Sequence, residues 1–255
     1  MRPGLFLPVY SRVRSTRSHD IAEVIRPALT RTPIIVAAAL TLSISAMWCY
    51  PGGTALDHKS TGYSLTQNFL SDLGMTVAYN GASNALGALL FVLSVLASVI
   101  GLGGAILGFV RLCAQTPQAR RWAWSAATIG LLACLAFVGV AATPENHAMP
   151  LHVRFTLVAF RALPLAALCL TVAATQSRAA QSPAAQTRDV MALSVMTCVL
   201  ALYAVDMTWG PSVATLDGLR IQVIAQKVVS IVIGAVTMYL SVRAELLSAR
   251  IAREP

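Results

Sequence analysis

Three of the four histidines, His58, His147 and His152, fall in two polar stretches that also hold Asp57, Asp72 and Glu145. Imidazole and carboxylate together are the ligand set of a zinc-type site. A zinc ion held by those three histidines would lower the pKa of a bound water and create a nucleophile near neutral pH. Next to them stands Asn68-Phe69-Leu70-Ser71-Asp72-Leu73-Gly74, polar and acidic within a mostly apolar chain. There Asp72 would act as the base, and Ser71 or Arg161 would steady a developing oxyanion. The pair His147 and His152 has HxxxxH spacing, which is not a recognised metal-binding pattern. Ordinary surface histidines are the competing reading.

A second set of residues is notable for its setting. Arg161, Asp206 and Lys227 lie within apolar runs, where even lenient insertion scales charge roughly 2.5–3.5 kcal/mol for a central Arg, Lys or Asp. They should face the protein interior and find partners. Asp206 with Lys227, and Asp72 with Arg161, are the expected pairs. Counting from His152, Arg161 lies about 13 Å deep at 1.5 Å per residue. Together with Asn68 and Arg154 these residues could bind an anionic head group or small anion.

The elements that must position these groups follow from composition. The 255 residues are 56% hydrophobic and only 11% charged, with mean hydropathy +0.69. A soluble domain carries about 25% charge. Apolar runs at 33–49, 84–110, 122–142, 153–175, 190–209 and 221–242 each approach the ~20 residues that span a bilayer. This predicts an all-α integral membrane bundle of six transmembrane helices over 33–243. A basic tail precedes it at 1–32, and a C-terminal tail follows at 244–255.

With the N-terminus cytoplasmic, fourteen Lys and Arg fall in inner segments and three, Lys59, Arg154 and Arg220, in outer loops. That asymmetry satisfies the positive-inside rule and puts both termini in the cytoplasm, in an inner (plasma) membrane. The net charge of +9 is thereby a matter of topology. The arginines form no basic stripe interleaved with aromatics, so nucleic acid is not an expected partner. No His lies mid-span where facing helices could supply two heme ligands. The five cysteines show no paired spacing and read as small packing residues.

Leu65, Phe69 and Leu73 recur at i, i+4 and i+8, which predicts an amphipathic interfacial helix in the long loop after the first span. The second span carries Gly101, Gly103, Gly104 and Gly108. Their small size suits close helix packing, within the chain or between copies of it. No GK[ST] follows, so this is not a phosphate loop.

Several of these features resemble a bacterial membrane-protein family known as domain of unknown function 998. They are Tyr50-Pro51-Gly52, Asn68 to Gly74, Asn84, Pro144 with His147 and His152, and Gln226-Lys227. The resemblance covers about 33–243 and implies a multi-helix membrane fold without an established reaction. The types Ser71, Asp72, His58, His147 and His152 are also similar to those of the alkaline ceramidase and progestin-type receptor superfamily, which combines Ser, Asp and three His around zinc. Six spans in place of seven, and no HxxxH within a span, depart from that pattern. The chain is therefore expected to hold an outward-facing polar cavity. Its use would be metal-dependent hydrolysis of a lipid or amphiphile. Alternatively, it would bind, transport or sense a lipid or small anion without chemistry.

Overall fold

The computed structural model describes residues 31–177 and 182–251. Most of the basic N-terminal tail lies outside them. Six helices make up the fold: α1 (Arg31–Cys49), α2 (Ala85–Cys113), α3 (Pro117–Ala142), α4 (Glu145–Gln176), α5 (Pro183–Trp209) and α6 (Leu216–Ile251). Each is long and apolar enough to cross a membrane. The described residues include no strand, only isolated bridges at Gly52–Thr61 and Val77–Ser83. The class is a multi-pass helical membrane protein.

The helices outrun the apolar windows because polar caps start them. Thr116 and Ser182 accept the Ala119 and Ala185 N–H groups, with Pro117 and Pro183 in the first turn. Proline costs nothing there, since its missing N–H would be unpaired anyway. α6 likewise continues to Ile251, so the tail expected from 244 is helical over most of its length. α4 is kinked at Ala148 (φ −139°, ψ 40°), just before Pro150. A proline removes a helical hydrogen bond and crowds the preceding turn.

Small residues set the packing. α3 packs along α4, and both helices bury alanines, Ala119, Ala123, Ala126 and Ala133 in the one and Ala159, Ala166 and Ala173 in the other. At Gly139 an added Cβ would meet the Phe155 ring at 2.5 Å. Three of the glycines of α2 meet neighbouring helices of the same chain. Gly101 and Gly104 are covered by Val36 and Thr32 of α1, and Gly103 by Leu131 of α3. In lipid, such close approach supplies the van der Waals contact that holds helices together. Of the cysteines, Cys113, Cys134 and Cys169 are buried, whereas Cys49 and Cys198 are exposed and do not pack the interior.

Outward faces carry Ile100, Leu135, Val195 and Leu202, all exposed. Trp48 and Trp209 stand 86% and 79% exposed where α1 and α5 end, the position of an interfacial aromatic girdle. At the opposite end, Asp189 of α5 is fully buried. It accepts Arg243 Nε at 2.9 Å, Arg243 Nη2 at 3.2 Å and the Tyr239 hydroxyl at 2.6 Å. This fork ties α5 to α6.

Candidate functional site

The loop 50–84 folds into the bundle and does not lie on it. Gly52 (φ +137°) and Gly53 (φ +86°) start it, in conformations open mainly to glycine. A Cβ at Gly53 would lie 2.5 Å from the Asn80 nitrogen, so the two limbs of the loop touch there. The Gly53 N–H donates to Ser60 O (2.8 Å) and the Asn80 N–H to Gly52 O (3.3 Å), which completes this staple.

The expected amphipathic helix over 65–73 does not form. A turn at 65–67 and a short 3-10 turn, Ser71–Gly74, stand in its place, with Leu65 exposed and Leu73 buried. Two side chains explain the difference. Asn68 Oδ1 takes the Ser64 N–H (2.9 Å) and Asp72 Oδ2 takes the Phe69 N–H (3.0 Å). Such bonds offer the backbone an alternative to the helical ladder.

Asn68 is the hub of the segment. Fully buried, it donates from Nδ2 to Gly53 O (3.0 Å) and to Asp72 Oδ2 (2.9 Å). Its carbonyl accepts Lys227 Nζ at 2.6 Å and the Tyr63 hydroxyl at 3.0 Å. Gln226 Oε1 accepts the Leu70 N–H at 2.6 Å. Two consecutive polar residues of α6 thus clamp the loop, roughly 16 Å along the helix from Leu216. Lys227 also sits 5.2 Å above the Tyr63 ring, within cation–π range. Asn84 holds the far limb through Nδ2 to Leu73 O (3.0 Å) and Met75 O (2.8 Å).

Asp72 is 1% exposed, and among the described residues its Oδ1 has no hydrogen-bond partner and neither oxygen an ion pair. Burial, and next the charge of Glu145, raises its pKa to about 8, against the opposing pull of Asn68, the Phe69 N–H and Lys227. Burial and then the charge of Asp72 also raise the phenols of Tyr50, Tyr63 and Tyr79, Tyr50 to about 12.

Beneath the clamp lies a cavity of about 380 Å³. It runs between α1, α2 and α6, reaching Phe137 of α3 and Phe160 of α4. Along α6 it extends from Gln226 and Lys227 to Thr237, and along α1 from Met47 to Val36, roughly 16 Å in each case. That is about half of the ~30 Å hydrocarbon thickness. Leu70, Ser71, Gln226 and Lys227 close the loop end. Val36, Phe91 and Leu102 with other apolar side chains make most of the rest, and hydroxyls such as Ser94, Ser98 and Ser230 stand among them. The exposed Leu40, Ile44 and Ile231 leave one side open. The cavity is thus apolar with a polar end, where the sequence suggested a polar one.

The remaining expected site residues go elsewhere. His58 is exposed and stacks on Tyr79. His147, also exposed, is hydrogen-bonded through Nε2 to Thr76 Oγ1 (2.8 Å). His152 is buried, with Nδ1 on Thr143 O (2.7 Å) and Nε2 on Glu145 (3.1 Å). Both its ring nitrogens are already engaged. Among the described residues no group of three or more His, Cys, Asp or Glu is arranged to hold a metal, so the three-histidine zinc set is not formed.

Neither expected ion pair forms. Arg161 is exposed and donates to Thr208 Oγ1 (3.3 Å), one residue before the end of α5. Arg154 is exposed as well, and Asp206 contacts neither Lys227 nor the cavity. Of the expected residues, the structure brings together Asn68, Ser71, Asp72 and Lys227. Gln226 was the missed partner, and its signal was a second polar residue adjoining Lys227 within a span.

No protein-family model matches the chain, and no curated protein or solved structure does either.

Proposed function

We propose that this protein binds a single-chain amphiphile with an anionic head, as a carrier or sensor without chemistry of its own. The supporting observation is the apolar cavity, one leaflet long, whose polar end presents Lys227, Gln226 and Ser71. An acyl chain would take the apolar length, and the Lys227 ammonium would take the head. The ammonium has three N–H donors, and Asn68 O accepts one of them. The positive-inside asymmetry supports both termini in the cytoplasm of a plasma membrane, with the 50–84 loop on the far face. The resemblance to the domain-of-unknown-function 998 family is kept as a proposal on the features given above, two of which, Asn68 to Gly74 and Gln226-Lys227, are here the two halves of one clamp.

The test is equilibrium binding of radiolabelled dodecanesulfonate to the full chain in nanodiscs. Wild type should bind it saturably. Gly234→Phe should abolish binding, since Gly234 lines the cavity and has open space around it. Lys227→Met should weaken binding about ten- to a hundredfold, the worth of a charged hydrogen bond. Equal binding by all three proteins would sink the reading.

A further inference from the structure

Resting on that reading, we propose that the site takes its anionic ligand together with one proton, the anion at Lys227 and the proton on Asp72. The argument begins with Asn68, which separates the two charged groups and touches both. Its carbonyl accepts Lys227 and its amide donates to Asp72 Oδ2. Asp72 and Lys227 therefore sense each other across one residue without forming an ion pair.

The groups around Asp72 leave it little other support. From the loop side it faces Tyr50, Tyr63 and Tyr79, all neutral phenols. From α4 it faces Glu145, a second carboxylate, whose own partner is His152. From α6 it faces Lys227. The 3-10 turn also packs on α2 and α3, whose titratable residues, Arg111, Cys113, Arg120, Arg121 and Cys134, are not among the groups acting on Asp72. Lys227 is thus the one cation acting on Asp72 among the described residues.

An anion seated on Lys227 spends that positive charge. Where the pH has already ionised it, Asp72 would then be a buried carboxylate beside Glu145 and the ligand, with only the Asn68 and Phe69 donors left to steady its charge. Such a group protonates before it stays ionised. The proton comes from water and goes to Oδ1, the oxygen that accepts no hydrogen bond, leaving the Asn68 and Phe69 donors on Oδ2 undisturbed. Anion and proton enter together, and the site gains no net charge.

Titration calorimetry of the full chain in nanodiscs with dodecanesulfonate, whose charge does not titrate, counts the protons. The same titration is run in two buffers of different protonation enthalpy. Uptake should rise from near zero at about pH 6, where Asp72 already holds its proton, towards one proton per ligand at about pH 8.5. In Lys227→Arg, whose cation does not titrate, the uptake should persist, and Asp72→Asn added to that variant should bring it near zero over the same range. Glu145→Gln, which removes the neighbouring carboxylate, should start uptake at lower pH. Equal uptake in Lys227→Arg with and without Asp72→Asn overturns the inference, as does an unmoved onset in Glu145→Gln. Saturable binding without uptake in wild type overturns it and spares the amphiphile site, whereas no saturable binding at all removes both.

Discussion

Lys227 and Asp72 meet through a single residue: the Asn68 carbonyl accepts the ammonium at 2.6 Å and its amide donates to the carboxylate at 2.9 Å. Asn68→Ala would leave the Ser64 N–H without its partner, Gly53 O with only the longer bond from the Tyr50 hydroxyl (3.4 Å), and Asp72 with one donor in place of two. Each orphaned buried group costs about 1–3 kcal/mol. Thermal unfolding in mild detergent should show a loss of at least about 2 kcal/mol. An unchanged midpoint would mean that the loop is held by other means.

Asp72 gives stability a pH dependence of defined sign. Its carboxyl holds a proton up to about pH 8 in the folded chain and to about pH 4 when unfolded. The folded state therefore binds the extra proton between those values. Its contribution is full below about pH 4, and stability declines as pH rises towards 8. In Asp72→Asn that part of the decline should vanish, which unfolding curves taken across the range will report. Parallel curves for the two proteins would contradict the burial argument.

The two histidines of α4 should part company. His147 is exposed and shares Thr76 with Asn146, which binds both the Thr76 N–H and its hydroxyl. His147→Ala should cost under about 1 kcal/mol. His152→Ala removes a buried ring and strands the Glu145 carboxylate, 9% exposed, at a cost of about 3 kcal/mol. Equal losses, or a zinc content that falls in both variants, would restore the shared metal site.

At the other end of the bundle, Arg243→Met leaves Asp189 buried without its cation. A loss of about 3 kcal/mol is expected. Adding Asp189→Asn should recover part of it, because the uncompensated charge then disappears. A double variant no better than the single would show that the fork acts through packing alone.

The spans were legible because length and hydropathy suffice to identify a helix that lipid will accept. Their starts were not, since Thr116-Pro117 and Ser182-Pro183 begin helices with residues that no hydropathy window favours. The clamp was half legible. Lys227 and the Asn68 to Gly74 stretch stood out as polar groups in apolar company, but their pairing spans 159 positions, which no local spacing encodes. Arg161 was misjudged for a related reason. Depth was counted along α4, yet its side chain emerges beside Thr208 near the end of another helix. Asp189 passed unnoticed because one acid among inner arginines looks like solvated surface until Tyr239 and Arg243 are seen around it.

The clamp also bears on how the chain is made. Leu70 and Asn68 wait for partners 156 and 159 positions downstream. At roughly 5–20 residues per second, on the order of ten seconds pass between their synthesis and that of α6. Through that interval the nascent protein has up to five helices in the bilayer and an acidic loop that lacks its α6 clamp. The last helix brings Gln226 and Lys227 to the loop, so completion of the chain and closure of the clamp are the same event. A chain ending at residue 215 should therefore be cleared by membrane proteolysis much faster than the full one, and a pulse-chase comparison of the two would register the difference.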